Sequence, residues 1–228
     1  MLAKNYQKVL SAIDEAAHRS GRDPEMVKLV AVTKTVGIDE VRRAAALGIC
    51  DFGENRVQDA AVKVASLTEV RWHFIGHLQT NKVKDVLPVY SLIHSLDRLS
   101  LAEALQHCAE KFDRTVKVLI QVNVSGEKSK FGLEPGELPD FLRKISNFGL
   151  INVRGLMTIA PFVENPGETR PYFRELRYLR DENAKPGVEL PELSMGMTND
   201  FAVAVEEGAT IVRIGSALFG QITTEESR

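Results

Sequence analysis

The chain has 228 residues, 44% of them hydrophobic and 26% charged, with a formal net charge of −2. That balance is ordinary for one large or two small globular domains and gives no electrostatic reason to expect nucleic acid or an anionic membrane as a partner, so small molecules are the expected ligands. Cys50 and Cys108 form neither a CxxC nor another metal-type spacing, no apolar run approaches a membrane span, and the N-terminus lacks the order of a secretory signal, so a cytoplasmic protein is expected.

Leu2, Tyr6, Val9, Leu10, Ile13 and Ala17 recur at helical spacing, and residues 2–20 are predicted as an amphipathic helix closed by Gly21. Next comes Leu29-Val30-Ala31-Val32-Thr33-Lys34, an apolar, β-branched run that reads as a buried parallel strand stopping on a lysine. From there two patterns alternate. Strand-like runs begin near Lys28, Cys50, Arg71, Tyr90, Val116, Ile151, Leu190 and Ala209. Helical periodicity fills 38–47, 56–67, 81–87, 98–112, 137–148, 170–183 and 199–207, with stop signals at Gly48, Pro88, Gly149 and Gly208, and a last helix would be cut off from Gly220 onward.

Strand and helix alternating in one direction require parallel strands joined by crossovers, and eight such units are what a closed barrel needs. The predicted fold is therefore α/β: a single (β/α)8 TIM barrel with an extra N-terminal helix, one domain over residues 1–228. An open doubly wound sheet is the alternative. The lack of GxGxxG after the first strand and the position of the eighth strand at the end of the chain favour the barrel. Pro161–Pro166 and Lys185–Pro191 read as loops between units.

In such a barrel the site lies at the C-terminal strand ends. These bring together Lys34, Glu54, Asn55, His73, Gly76, Ser95, Asp97, Asn123, Ser125, Met157, Thr158, Ser194 to Thr198 and Arg213 to Ser216. A lysine at a buried strand end is expected to be partly desolvated, which disfavours an ammonium, and a neutral amine suits a Schiff base. Taken alone, it could as well snorkel to solvent. The loops after strands seven and eight, where barrels commonly bind phosphate, carry Ser194-Met195-Gly196-Met197-Thr198-Asn199-Asp200 and Arg213-Ile214-Gly215-Ser216. Each loop is also ordinary turn chemistry. A Schiff-base lysine combined with a phosphate cup describes pyridoxal 5′-phosphate (PLP), and Arg213 is the candidate partner of its ring nitrogen, with a barrel ion pair as its plain alternative.

At these residues the sequence resembles the pyridoxal phosphate homeostasis protein family, PLP-binding relatives of the N-terminal barrel of alanine racemase. The resemblance spans essentially the whole chain and rests on Ala31-Val32-Thr33-Lys34, Phe52-Gly53-Glu54-Asn55-Arg56, Trp72 to Gln79, Ser194 to Thr198, and Val212-Arg213-Ile214-Gly215. It implies that Lys34 forms the Schiff base, Arg213 faces the ring nitrogen, Asn55 lies near the ring, and Ser194, Gly196, Thr198, Gly215 and Ser216 surround the phosphate. Thr198 stands where many relatives have serine. The resemblance further implies a monomer or weak dimer without established catalysis, acting on vitamin B6, amino-acid and keto-acid balance; apo PLP-dependent enzymes are a candidate class of partner.

Racemisation needs a second acid/base on the opposite face of the substrate, which alanine racemases take from an additional C-terminal domain of the partner subunit, and no such domain is expected after strand eight. Arginine on the ring nitrogen also weakens the ring as an electron sink. A non-catalytic PLP protein is therefore expected, with a weak amino-acid racemase or related PLP enzyme as the alternative and an aldolase-like Schiff-base barrel on a phosphorylated sugar as the third reading. His73 and His77 are too poorly arranged for zinc, and no metal is expected. His94 reads as a core histidine and Lys130 as a solvated loop lysine. Arg56, Arg154 and Lys82 read as rim cations that Glu54 could pair with, and Met195 and Met197 as packing residues.

Overall fold

The computed structural model describes residues 1–220, so most of the expected final helix lies outside the described residues. The leading amphipathic pattern forms helix α1 (Leu2–Arg19), which buries Val9, Ile13, Ala16 and Ala17. Each β-branched run then forms a short strand: β1 (Lys28–Val32), β2 (Asp51–Glu54), β3 (Arg71–Phe74), β4 (Leu92–Leu96), β5 (Val116–Gln121), β6 (Ile151–Met157), β7 (Glu192–Ser194) and β8 (Ile211–Ile214). Between them run α2 (Ile38–Ala46), α3 (Val57–Ser66), α4 (Val83–Val86), α5 (Leu99–Phe112), α6 (Leu138–Ile145), α7 (Arg170–Asn183) and α8 (Phe201–Glu206), with α9 (Ser216–Phe219) after β8. The predicted 81–87 helix is a 3-10 turn, Thr80–Lys82, leading into the short α4.

All eight strands are parallel, pair in sequence order and close into a barrel, with Lys28 opposite Ile211 and Ala31 opposite Ile214 across the seam. Alternation along the strands makes two cores. Outward residues such as Ala31, Phe52, Ile93 and Ile120 join the helices in one large cluster, while Val30, Leu92, Leu119, Met157 and Ile211 form a small cluster inside the barrel. Helix α1 covers the seam: the Asn5 amide donates to Leu218 O (2.9 Å), and Arg22, just after the helix, donates to Val205 O (2.6 Å) and Ala209 O (2.9 Å).

One irregularity matters later. Val118 faces Val153 but Leu119 faces Gly155, so Arg154 is an extra, bulged residue in β6. Gly155 sits at φ +152, and a Cβ there would lie 1.8 Å from the Glu192 carbonyl of β7. Only glycine permits this backbone approach.

Candidate functional site

The first unit ends on a buried ion pair. Thr33 N continues the ladder by donating to Gly53 O (3.0 Å), after which the Thr33 carbonyl accepts from Val36 N (3.2 Å) and closes a turn. The same carbonyl accepts from Lys63 Nζ (2.7 Å), and the fully buried Glu54 accepts through Oε1 from Thr33 Oγ1 (2.6 Å) and Lys63 Nζ (2.7 Å). Lys34 follows in the turn, exposed. This corrects the expectation of a desolvated lysine at the strand end: β1 stops at Val32, and the buried lysine is Lys63 of α3. Glu54 likewise pairs with Lys63 and not with a rim cation. Val30 faces the barrel interior and Thr33 is held from outside by α3, so Lys34 follows on the mouth side.

Beneath the mouth a chain of hydrogen bonds crosses the barrel. Arg213, 3% exposed, donates through Nη1 to Ser194 Oγ (2.5 Å) and through Nη2 to Thr158 O (2.8 Å). Ser194 Oγ lies 2.9 Å from His94 Nδ1, His94 Nε2 lies 2.9 Å from His73 Nδ1, and His73 Nε2 lies 2.9 Å from Asp51 Oδ1. Arg71 then donates to both Asp51 oxygens (2.8 and 2.7 Å). Burial would raise the Asp51 carboxyl, but the bonds from Arg71 and His73 outweigh it and hold the group well below the usual carboxylate range. Burial, with His73 and Arg213 nearby, lowers His94 far enough to keep it neutral.

A carboxylate only accepts, so the Asp51 contact takes a proton on His73 Nε2, and the Ser194 hydroxyl accepts from Arg213. Burial also lowers Arg213 to about 10, against the pull of Asp200, so it remains a cation at neutral pH.

The predicted phosphate loops meet at the mouth. Ser216 Oγ donates to Thr198 Oγ1 (3.2 Å), which also accepts from Ala217 N (3.3 Å). Met197 N donates to Asp200 Oδ1 (2.6 Å), and burial raises that carboxyl even though this bond and Arg213 pull it down. Gly196 is buried at φ +89, where a Cβ would meet Ala204 Cβ at 2.6 Å, and its carbonyl accepts from Arg213 N (3.0 Å). Ser194 has its hydroxyl engaged in the buried chain, and Gly196 turns the loop. Thr198, Gly215 and Ser216 remain at the mouth. Gly215 lies against β1, where a Cβ would stand 3.3 Å from Val32 O, so this loop and the turn of Lys34 are neighbours.

Asn55 and Lys82 line a small cavity of about 140 Å³ at the rim. Arg56 is exposed beside Asp59 (3.7 Å). His77 stacks on Phe131 with ring centroids 3.9 Å apart and faces Asp97 (3.3 Å), apart from the His73 chain. No metal-type cluster occurs among the described residues. Lys130 lies 4.0 Å from Glu127, Met195 is in the core, and Met197 is exposed.

Sequence reasoning missed Lys63 and the joined His73–His94 chain. The signals were a lysine on the apolar stripe of α3, between Ala60 and Val64, and the inward parity of residues 73 and 94 on neighbouring strands.

The sequence profile described as alanine racemase, N-terminal domain, matches residues 5–223. Proteins named pyridoxal phosphate homeostasis protein match with 48% identity in Aquifex aeolicus (96% of this chain, 97% of that protein) and 42% in Pseudomonas aeruginosa (96% and 95%). The solved structure of PipY from Synechococcus elongatus, described as having PLP bound, superposes with a TM-score of 0.85 at 36% identity, covering 96% of this chain and 100% of that one. A Clostridium difficile alanine racemase shares the fold at 12% identity (TM-score 0.76), with 97% of this chain matched to 58% of that one.

Proposed function

The chain belongs to the pyridoxal phosphate homeostasis proteins, built on the alanine racemase N-terminal domain, and from that premise we propose that it holds pyridoxal 5′-phosphate at the C-terminal mouth. In this reading it serves intracellular vitamin B6 balance in the cytoplasm, with effects on amino-acid and keto-acid pools and no strong catalysis of its own. Residues 1–228 act as one PLP-binding domain. Apo PLP-dependent enzymes are the class of recipient, and the protein works as a monomer or weak dimer.

Lys34 would hold the aldehyde carbon, Arg213 would face the ring nitrogen, Asn55 would flank the ring, and Thr198, Gly215 and Ser216 would take the phosphate. Ser194 and Gly196 act from beneath by fixing Arg213 and the loop. Bound PLP supplies a reactive aldehyde and an electron-withdrawing ring. The residues present fit it. The Thr198 and Ser216 hydroxyls lie 3.2 Å apart beside the β1 end that carries Lys34, as an oxyanion requires.

The observation that carries the reading is the buried, hydrogen-bonded Arg213. Its Ser194 and Thr158 contacts hold the guanidinium still. As a permanent donor at neutral pH it suits an unprotonated ring nitrogen, which keeps the ring a weak electron sink and agrees with binding in preference to turnover.

Visible absorption of the purified protein with added PLP, before and after borohydride, followed by peptide mass mapping, tests this. A yellow protein in which borohydride fixes the cofactor on Lys34 is expected. A colourless protein, or a label spread over Lys130 and surface lysines, would overturn it.

A further inference from the structure

The N-terminal strand ends form a second mouth, opposite the candidate cofactor site. It opens as a cavity of about 400 Å³ lined by Lys28, Asp51, Arg71, Lys117, Arg154 and Glu192, with His73 at its inner end. Four cationic side chains there face two carboxylates, an excess of two positive charges.

The pairing inside this cavity is incomplete. Asp51 is satisfied by Arg71 and His73. Glu192 is approached by Lys28 only at 3.9 Å, and its Oε2 is buried without a donor among the described residues. Lys117 and Arg154 have no carboxylate within 4.0 Å and no side-chain hydrogen bond among the described residues. Yet the fold takes an unusual step to bring Arg154 there: it is the bulged residue of β6, and Gly155 is the substitution-intolerant position that permits the bulge. Bulges re-aim side chains. A half-buried guanidinium beside the exposed, unpaired Lys117 concentrates positive charge that an anion would neutralise.

The donor set selects the anion. Ammonium groups on Lys28 and Lys117 and the planar fork of Arg154 suit phosphate oxygens. Two surplus charges match a dianion. We propose that the N-terminal mouth binds a phosphate-type dianion, as free phosphate or as a small phosphate monoester. The site is separate from the C-terminal mouth and does not require that PLP bind there.

The test is titration of the protein, prepared in phosphate-free buffer, with inorganic phosphate and with glycerol 3-phosphate, following the His73 ring by NMR and heat by calorimetry. Saturable binding is expected, weakened at least about tenfold in the Lys117→Gln/Arg154→Gln variant. Glycerol 3-phosphate gripped about tenfold more tightly than phosphate identifies the monoester as occupant, and equal affinities identify the free ion. No saturation up to about 10 mM, or unchanged affinity in the variant, overturns the proposal. The variant without ligand is expected to melt no lower than the wild type, because like-charge repulsion is relieved. A lower midpoint would mean that the two cations are structural, which also overturns it.

Discussion

The two mouths of the barrel handle charge in opposite ways. At the C-terminal mouth, the buried Arg213 rests on the neutral oxygens of Ser194 and Thr158, and Glu54 is met by Lys63 inside the protein. At the N-terminal mouth, Lys117 and Arg154 stand in a cavity with no partner among the described residues, and only Asp51 is fully engaged. One end is preorganised and the other is unbalanced. The Asp51–His73–His94–Ser194 chain runs between them, so the anchor for Arg213 is a carboxylate at the far end of the barrel. The rigidity of one mouth is thus established partly by residues of the other.

Breaking the preorganised end has the largest expected effect. Lys63→Met leaves the fully buried Glu54 without its cation, and unfolding free energy measured by urea is expected to fall by about 3–5 kcal/mol. Adding Glu54→Leu should restore most of that loss, because the cost lies in the orphaned charge. The corresponding neutralisation at the unbalanced end, Lys117→Gln, is expected to change stability by less than about 0.5 kcal/mol. A smaller loss for Lys63→Met than for Lys117→Gln would invert the comparison.

Gly196→Ala acts on the loop that supports the C-terminal mouth. At φ +89, with a Cβ 2.6 Å from Ala204 Cβ and 2.9 Å from Phe201 Cα, the substitution is both strained and crowded. A thermal or urea midpoint corresponding to about 1–3 kcal/mol lost is expected, together with weaker PLP binding. Unchanged stability would show that the loop relaxes freely and is not preorganised.

The chain between the mouths makes stability fall in acid in two stages. His94 is depressed in the folded state from its ordinary value of 6.5, so its contribution is fully present above about pH 6.5 and is lost as pH falls, because the unfolded imidazole takes up the proton first. The slope approaches about 1.4 kcal/mol per pH unit for one proton. Asp51 is also depressed, from 3.8, so a second loss begins as pH drops through about 4. His94→Gln keeps a donor and an acceptor but cannot titrate. Urea midpoints from pH 7.5 to 5 should show its first stage flattened, and a wild-type slope retained in that variant would place the titrating group elsewhere.

The sequence made the barrel legible because each βα unit carries its own period-2 and 3.6 signals, and strand order in a closed barrel follows chain order. Arg170–Asn183 was readable to the residue, and the strand starts at Lys28, Arg71, Val116 and Ile151 coincide with those observed. The mouth was legible in outline, since the C-terminal ends of strands are a rule of the fold. What was hidden depends on pairing across long separations. Ser194 and His94 are 100 residues apart, and nothing in either segment says that the hydroxyl turns inward to the histidine and away from the mouth. The expected burial of Lys34 failed for a local reason: β1 ends at Val32, Thr33 is clamped by Lys63 and Glu54, and the buried lysine comes from α3.

The smallest predicted effect separates hydroxyl chemistry from bulk at the C-terminal mouth. Thr198 Oγ1 accepts from Ser216 Oγ and from Ala217 N, so an oxygen at this position joins the two loops. Thr198→Ser keeps that oxygen and should leave PLP affinity within about twofold of wild type, while Thr198→Val keeps the shape and removes it. A neutral hydrogen bond at a partly exposed site contributes about 1 kcal/mol, so the valine variant should bind PLP about fivefold more weakly, with thermal stability almost unchanged. If serine and valine weaken binding alike, the methyl group and not the hydroxyl holds the loops together. The cup would then depend on packing, as the core does, and the contrast with the charged mouth opposite would be one of burial alone.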